Sequence, residues 1–257
     1  MLFRPGRPAA RPNPSPDVLA PVVLSIGGRD VTVTLRRNPR ALRYTLRVRA
    51  VERDVVLTVP PRGSVIEAHA FAHRYRDWIA TRLARLPDRV LLQPGARIPL
   101  RGVEHHIVHR PHLRGTVWIE AGEDGPLLCV AGEAPHVARR VGDFLKREAK
   151  ADLTIASRRH AAALEVAIGR ITLRDTASRW GSCSSSGALS YSWRLILAPP
   201  HVLDYLAAHE VAHRREMNHG PRFWATVKRL CPGYERAEAW LRSHGASLHR
   251  YGERAAR

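Results

Sequence analysis

The chain has 257 residues, with 42 Lys and Arg against 23 Asp and Glu, a formal net charge of +19. That length holds one large or two small hydrophobic cores, and the charge favours polyanionic partners such as nucleotides, nucleic acid or acidic surfaces. Three cysteines, Cys129, Cys183 and Cys231, are odd in number and lack CxxC spacing, which excludes a disulfide framework and points to a reducing, cytoplasmic setting.

Met1 to about Ala20 is rich in Pro, Arg and Ala, has no apolar segment of the secretory kind, and reads as a disordered leader. No later apolar run approaches the ~18 residues of a membrane span, so no membrane partner is expected.

Residues 21–132 read as a β-rich region with one helix. Val22 to Ile26 runs into Gly27-Gly28, a hairpin turn, and Val31 to Leu35 follows. Leu42, Tyr44, Leu46 and Val48 alternate with Arg43, Thr45, Arg47 and Arg49, which gives a strand with a core face and a basic face. The basic face is either a solvated surface that keeps a sheet edge soluble or a nucleotide or nucleic-acid surface. Ala68, Phe71, Ala72, Tyr75, Trp78, Ile79 and Leu83 repeat at helical spacing, so one helix is expected over 65–86 with its aromatics in the core. Residues 97–130 read as further strands, carrying His105, His106, His109 and His112. His105 and His109 share a strand face, but beyond Glu104 the cluster has no acidic or thiol partner for a second metal site.

A second domain is expected over 133–245, followed by a basic tail at 246–257. It opens with a long helix over 134–166 that turns Val137, Val141, Phe144 and Leu145 inward. Strands return over 170–197, where Leu189, Tyr191, Trp193 and Leu195 alternate with polar positions. Pro199-Pro200 then starts a helix expected over 201–217.

That helix carries His209-Glu210-Val211-Ala212-His213, with His219 six residues further on. Residues four apart on a helix lie on one face, so His209 and His213 reach one ion together. Asn218-His219-Gly220-Pro221 is helix-ending chemistry, and it lets the chain fold back and present His219. Three neutral imidazoles with an open fourth position describe a catalytic zinc site. Glu210 is placed to take a proton from a water that the Zn2+ activates. The His213 to His219 spacing equals that of the long metzincin motif, but Glu216 stands where that motif needs Gly, so a metzincin assignment is rejected.

Four runs together carry a family resemblance: Arg179 to Gly187, Trp193 to Pro199, His209 to His213, and Asn218 to Trp224. They resemble the YgjP-like metallopeptidases over roughly residues 22–245, and the His-Gly-Pro-x-Phe tail is also similar to the SprT/Spartan-like zinc proteases. One departure is Ser192, where the family usually has Asn. The resemblance implies an α+β fold in which a β-rich N-terminal part precedes a zincin-like metallohydrolase domain. It implies Zn2+ held by His209, His213 and His219, with Glu210 catalytic. By the same resemblance the 179–197 hairpin holds a peptide or protein substrate through main-chain pairing. Arg179 or Arg194 then stabilises an oxyanion or a phosphate, or both arginines brace carboxylates while Trp180 and Trp193 pack the core. The expected activity is peptide-bond hydrolysis. The alternatives are pyrophosphate hydrolysis of UTP-like nucleotides and a DNA-associated SprT-like protease.

Overall fold

The computed structural model describes residues 18–49, 54–86, 88–176 and 179–252. The leader expected over 1–20 lies outside these residues as far as 17, and 18–20 open the first strand. The chain divides into two compact units between residues 86 and 87.

The first unit is a four-stranded sheet with two helices. Its strands are β1 (Val18–Ile26), β2 (Arg29–Arg37), β3 (Thr45–Arg49) and β4 (Asp54–Val59), in the order β1-β2-β4-β3. Gly27 and Gly28 both take positive φ, 55° and 75°, which closes the β1–β2 hairpin as the sequence requires. Val33, Leu35, Val55, Leu57 and Val59 are fully buried along one face, and the helices cover it with Ala68, Ala72 and Ile79. The expected single helix is two: α1 (Val65–Arg74), capped by the Ser64 side chain, and α2 (Arg76–Ala84). Tyr75 leaves the helical region at φ −96°, ψ 16°, and its ring packs 4.6 Å from that of Phe71. The aromatic stripe is also not all core, because Tyr75 and Trp78 remain 40% and 39% exposed.

The second unit begins with strands β5 (Arg97–Leu100), β6 (Val103–His109), β7 (Val117–Glu120) and β8 (Leu127–Val130), in the order β5-β6-β8-β7. The sequence suggested a boundary after 132, with these strands in the N-terminal region. They belong instead with the helices, because Leu100, Ile107, Leu128 and Val130 share one core with Val141, Leu145 and Leu153 of α3 (Val137–Leu164). A sheet's apolar face must be buried somewhere, and here the long helix buries it.

A three-stranded sheet follows: β9 (Ile171–Arg174), β10 (Gly181–Cys183) and β11 (Leu189–Ser192), in the order β10-β11-β9. The alternation read through Trp193 and Leu195 does not continue the strand. Residues 193–197 form a 3-10 turn, the Arg194 amide donates to the Ser192 hydroxyl at 3.4 Å, and every side chain from 193 to 198 is buried. Then come α4 (Pro200–Ala212), α5 (Pro221–Leu230) and α6 (Tyr234–Leu248). The segment expected as a basic tail from 246 is tied into the fold as far as 252. Leu248 is buried, and the amides of Val90 and Gly252 donate to Arg250 and Val90 carbonyls at 2.9 and 2.8 Å. Residues 253–257 lie outside the described ones. Among the described residues no helix is long and apolar enough to cross a membrane.

Candidate metal centre

Helix α4 is buried along most of its length; Val202, Leu206, Ala207, Ala208, Val211 and Ala212 all sit in the core. The sequence expected it to run to 217. It ends at Ala212 with His213 as its C-cap, and tight turns through Arg214, Arg215 and Glu216 take the chain away. Two arginines hold that exit. Arg214 donates to the carbonyls of Ala167 and Ser185 at 3.0 and 2.9 Å, and Arg215 donates to that of Leu164 at 2.6 Å. Gly220 and Pro221 then start α5, because proline at the first helical position loses no hydrogen bond.

This path brings His219 back over α4. The ligand atoms offered by His209, His213 and His219 all lie within 4.8 Å of one another, and the Nε2 atoms of His209 and His219 are 3.1 Å apart. Two ligands of one tetrahedral zinc ion stand about 3.3 Å apart, from Zn–N bonds of about 2.0–2.1 Å. His213 Nδ1 lies 3.1 Å from the Glu216 carbonyl oxygen. A carbonyl only accepts, so Nδ1 carries the hydrogen and Nε2 is left to ligate. The Tyr205 hydroxyl stands 3.4 Å from His209 Nδ1. Burial, with His213 and His219 adding to it, pushes the His209 imidazole down to about 4. Burial lowers His213 as well. Both stay neutral at physiological pH, which is the form that ligates. The donor set, its spacing and the His213 tautomer therefore fit a divalent, nitrogen-seeking ion.

Phe223 supports all three rings. It is fully buried, and its ring centroid lies 4.9, 4.6 and 4.6 Å from those of His209, His213 and His219. Trp224 and Tyr234 stack at 5.4 Å, and Tyr205 stacks on Tyr234 at 5.9 Å, so the centre has one aromatic wall. The sequence placed Phe223 in the family motif without a task. Its position four residues after His219, on the helix that returns, was the available signal.

Glu210 is buried next to the histidines, and burial raises its carboxyl to about 7 against the smaller opposing pull of Arg179. Its carboxyl group lies against the α-carbon of Gly181 on β10. A Cβ built on Gly181 would stand 2.7 Å from both Cγ and Cδ of Glu210. The glycine makes room for the acid, which sequence reading missed.

A family model for the YgjP-like metallopeptidase domain matches residues 43–244. The chain belongs to that family. No curated protein and no solved structure matches it. A metallopeptidase domain implies a metal ion, and the histidine cluster is where the donors of this YgjP-like chain converge.

The two arginines expected beside substrate part company. Arg179 is exposed and acts on Glu210 through its charge. Arg194 is fully buried. Its Nε and Nη2 donate to the Asp175 carboxylate at 2.7 and 3.2 Å, and Nη1 donates to the Leu248 and Tyr251 carbonyls at 3.2 and 2.5 Å. It ties β9 to the C-terminal segment and has no surface on which to meet a substrate. The weighed histidine cluster on β6 also separates. His105 Nδ1 bonds the Val103 carbonyl at 2.8 Å and His109 Nε2 that of Gly132 at 2.5 Å. Among the described residues only His209, His213 and His219 group as metal donors. Burial pushes the Cys183 thiol up, so it stays protonated and is no nucleophile.

Proposed function

We propose that this metallopeptidase is zinc-dependent, with His209, His213 and His219 as ligands and Glu210 as general base. The observation that carries the reading is the convergence of three imidazole nitrogens beside a buried carboxyl that burial has raised to about 7. A zinc ion held there supplies a Lewis acid for the scissile carbonyl and acidifies a water. Glu210 accepts a proton near neutral pH and returns it to the leaving amine. The Gly181 contact fixes where the carboxylate stands. Arg179 supplies positive charge for the oxyanion that develops as the carbonyl is attacked. β10 lies at the end of its sheet against α4, and its outer edge pairs the main chain of an extended substrate.

Elemental analysis of the purified protein beside His213→Ala tests the ligand set; about one zinc per chain is expected, lost in the variant. Glu210→Gln tests the base: peptide-library turnover disappears while zinc stays. Zinc loss from Glu210→Gln would make the carboxylate a ligand and remove its role as base. Hydrolysis of UTP by the unaltered chain, lost in both variants and with peptides left intact, would replace the peptidase reading with the pyrophosphohydrolase one.

A further inference from the structure

The first unit carries a feature that the metal centre does not use. β3 is the terminal strand of the order β1-β2-β4-β3, and among the described residues nothing pairs with its outer edge. An edge of this kind presents a row of unpaired N–H and C=O groups. Beside it lies a groove of about 510 Å³, lined by Arg43, Tyr44, Leu46, Phe71, Tyr75 and Trp78. Tyr75 and Trp78 are the exposed aromatics of the helical stripe noted above.

We propose that the β3 edge and this aromatic groove dock an extended peptide that alternates apolar and acidic side chains. Side chains of an added strand alternate between the two faces in step with those of β3. On the helix side they meet Tyr44, Leu46 and the rings of Phe71, Tyr75 and Trp78. On the opposite side they meet Arg47, while Arg43 stands just before the strand at the rim of the groove; both are exposed and without an acidic partner among the described residues. The arginines repel the edges of further copies of this chain, and the same charge admits an acidic strand. A main-chain ladder gives such a site its affinity, and the groove selects the side chain that enters it.

A single-stranded nucleic acid fits less well. Base stacking needs free ring faces. Here Phe71 lies between Tyr44 and Tyr75, at 5.8 and 4.6 Å between centroids, and the Arg82 guanidinium stands 5.4 Å from the Trp78 ring centroid. A nucleic acid also offers no ladder to the β3 edge.

The inference stands independently of what the metal centre hydrolyses. The test uses the full chain carrying Glu210→Gln, so that the probe is not cut. The probe is a fluorescein-labelled decapeptide alternating valine and aspartate with one central leucine, read by anisotropy. Micromolar binding is expected, weakened about tenfold by Trp78→Ala and by Arg47→Glu. It is lost when all the probe's backbone amides are N-methylated, so that neither edge can donate to β3, and that control needs no protein variant. Three results would overturn the proposal: equal binding of the N-methylated probe; an unchanged Kd in both variants, which would put the peptide elsewhere; or tighter binding of a 12-nucleotide oligothymidine that Trp78→Ala abolishes, which would make the groove a nucleic-acid surface.

Discussion

Replacing Gly181 by alanine tests the close contact that positions the Glu210 carboxyl proposed as base. Gly181 does not occupy the left-handed region, so its backbone accepts alanine without strain. The added Cβ would lie 2.7 Å from Cγ and Cδ of Glu210. Carbon atoms rest about 3.5–4.0 Å apart. The carboxyl must therefore retreat by about 1 Å, or β10 must lift from α4, an overpacking that costs about 1–3 kcal/mol. A displacement of about 1 Å in a catalytic group lowers turnover by about 10²-fold. His209, His213 and His219 sit at other positions, so metal content should be unchanged. The assay is peptide turnover beside zinc content. Both changes act through one carboxylate, so Gly181→Ala combined with Glu210→Gln should be no slower than Glu210→Gln alone. Turnover within about twofold of wild type, or loss of zinc from the alanine variant, would refute the reasoning.

Phe223→Ala should lower stability by about 3–5 kcal/mol, because the ring is fully buried. It should also weaken zinc binding by about ten- to a hundredfold, since all three histidines rest on it; chelator competition reads the second effect, and unchanged zinc affinity would make Phe223 mere filler. Asp175→Ala strips both carboxylate bonds from the buried Arg194 guanidinium. It should cost about 3 kcal/mol in urea unfolding, with part of that recovered when Arg194→Met is added; a loss under about 0.5 kcal/mol would show that the two carbonyls suffice. Metal-free protein should also show a pH slope due to Glu210. Its folded pKa is about 7 against the usual 4.5, so the folded state keeps a proton that the unfolded chain has released. The group's effect on stability is absent below about pH 4.5 and grows unfavourable as pH rises through 7. Glu210→Gln removes it, so the chelated variant should gain on wild type between pH 5 and 8, by on the order of 2–3 kcal/mol. Parallel melting curves for the two proteins across that range would mean that Glu210 is not buried in the way described.

Local signals in the sequence were reliable and long-range ones were not. Gly27-Gly28 specified its hairpin because positive φ at two consecutive residues is a local demand. The apolar stripe of α3 likewise depends only on spacing within one element. The break at Tyr75 left no such mark, because the stripe stays in phase across it and no Gly or Pro announces it. The alternation through Trp193 and Leu195 misled for a related reason. Period-two patterning means a strand only when the intervening residues face solvent, and Arg194 and Ile196 do not. The unit boundary was misplaced because it depends on which helix covers the β5–β8 sheet, and no pattern within those strands says that it is α3.

The same division runs through the site. His209 and His213 are one helical turn apart, and Gly220-Pro221 ends any helix that precedes it, so the convergence of three histidines could be foreseen from the chain alone. The parts that position the chemistry come from elsewhere. Arg194 could be read as a substrate arginine or as a brace for a carboxylate, and Asp175, nineteen residues earlier, decides for the brace by holding it in the core. Gly181 had no task of its own within the run Arg179 to Gly187, yet its hydrogen side chain leaves the space that the Glu210 carboxyl fills. A ligand's identity is written in the ligand's own residue type. The placement of a general base depends on whatever surrounds it, and here that surrounding crosses from β10 to α4. A search for relatives with the same chemistry should therefore follow the glycine on the neighbouring strand together with the HExxH run, since the run alone places the donors and says nothing of where the carboxylate stands.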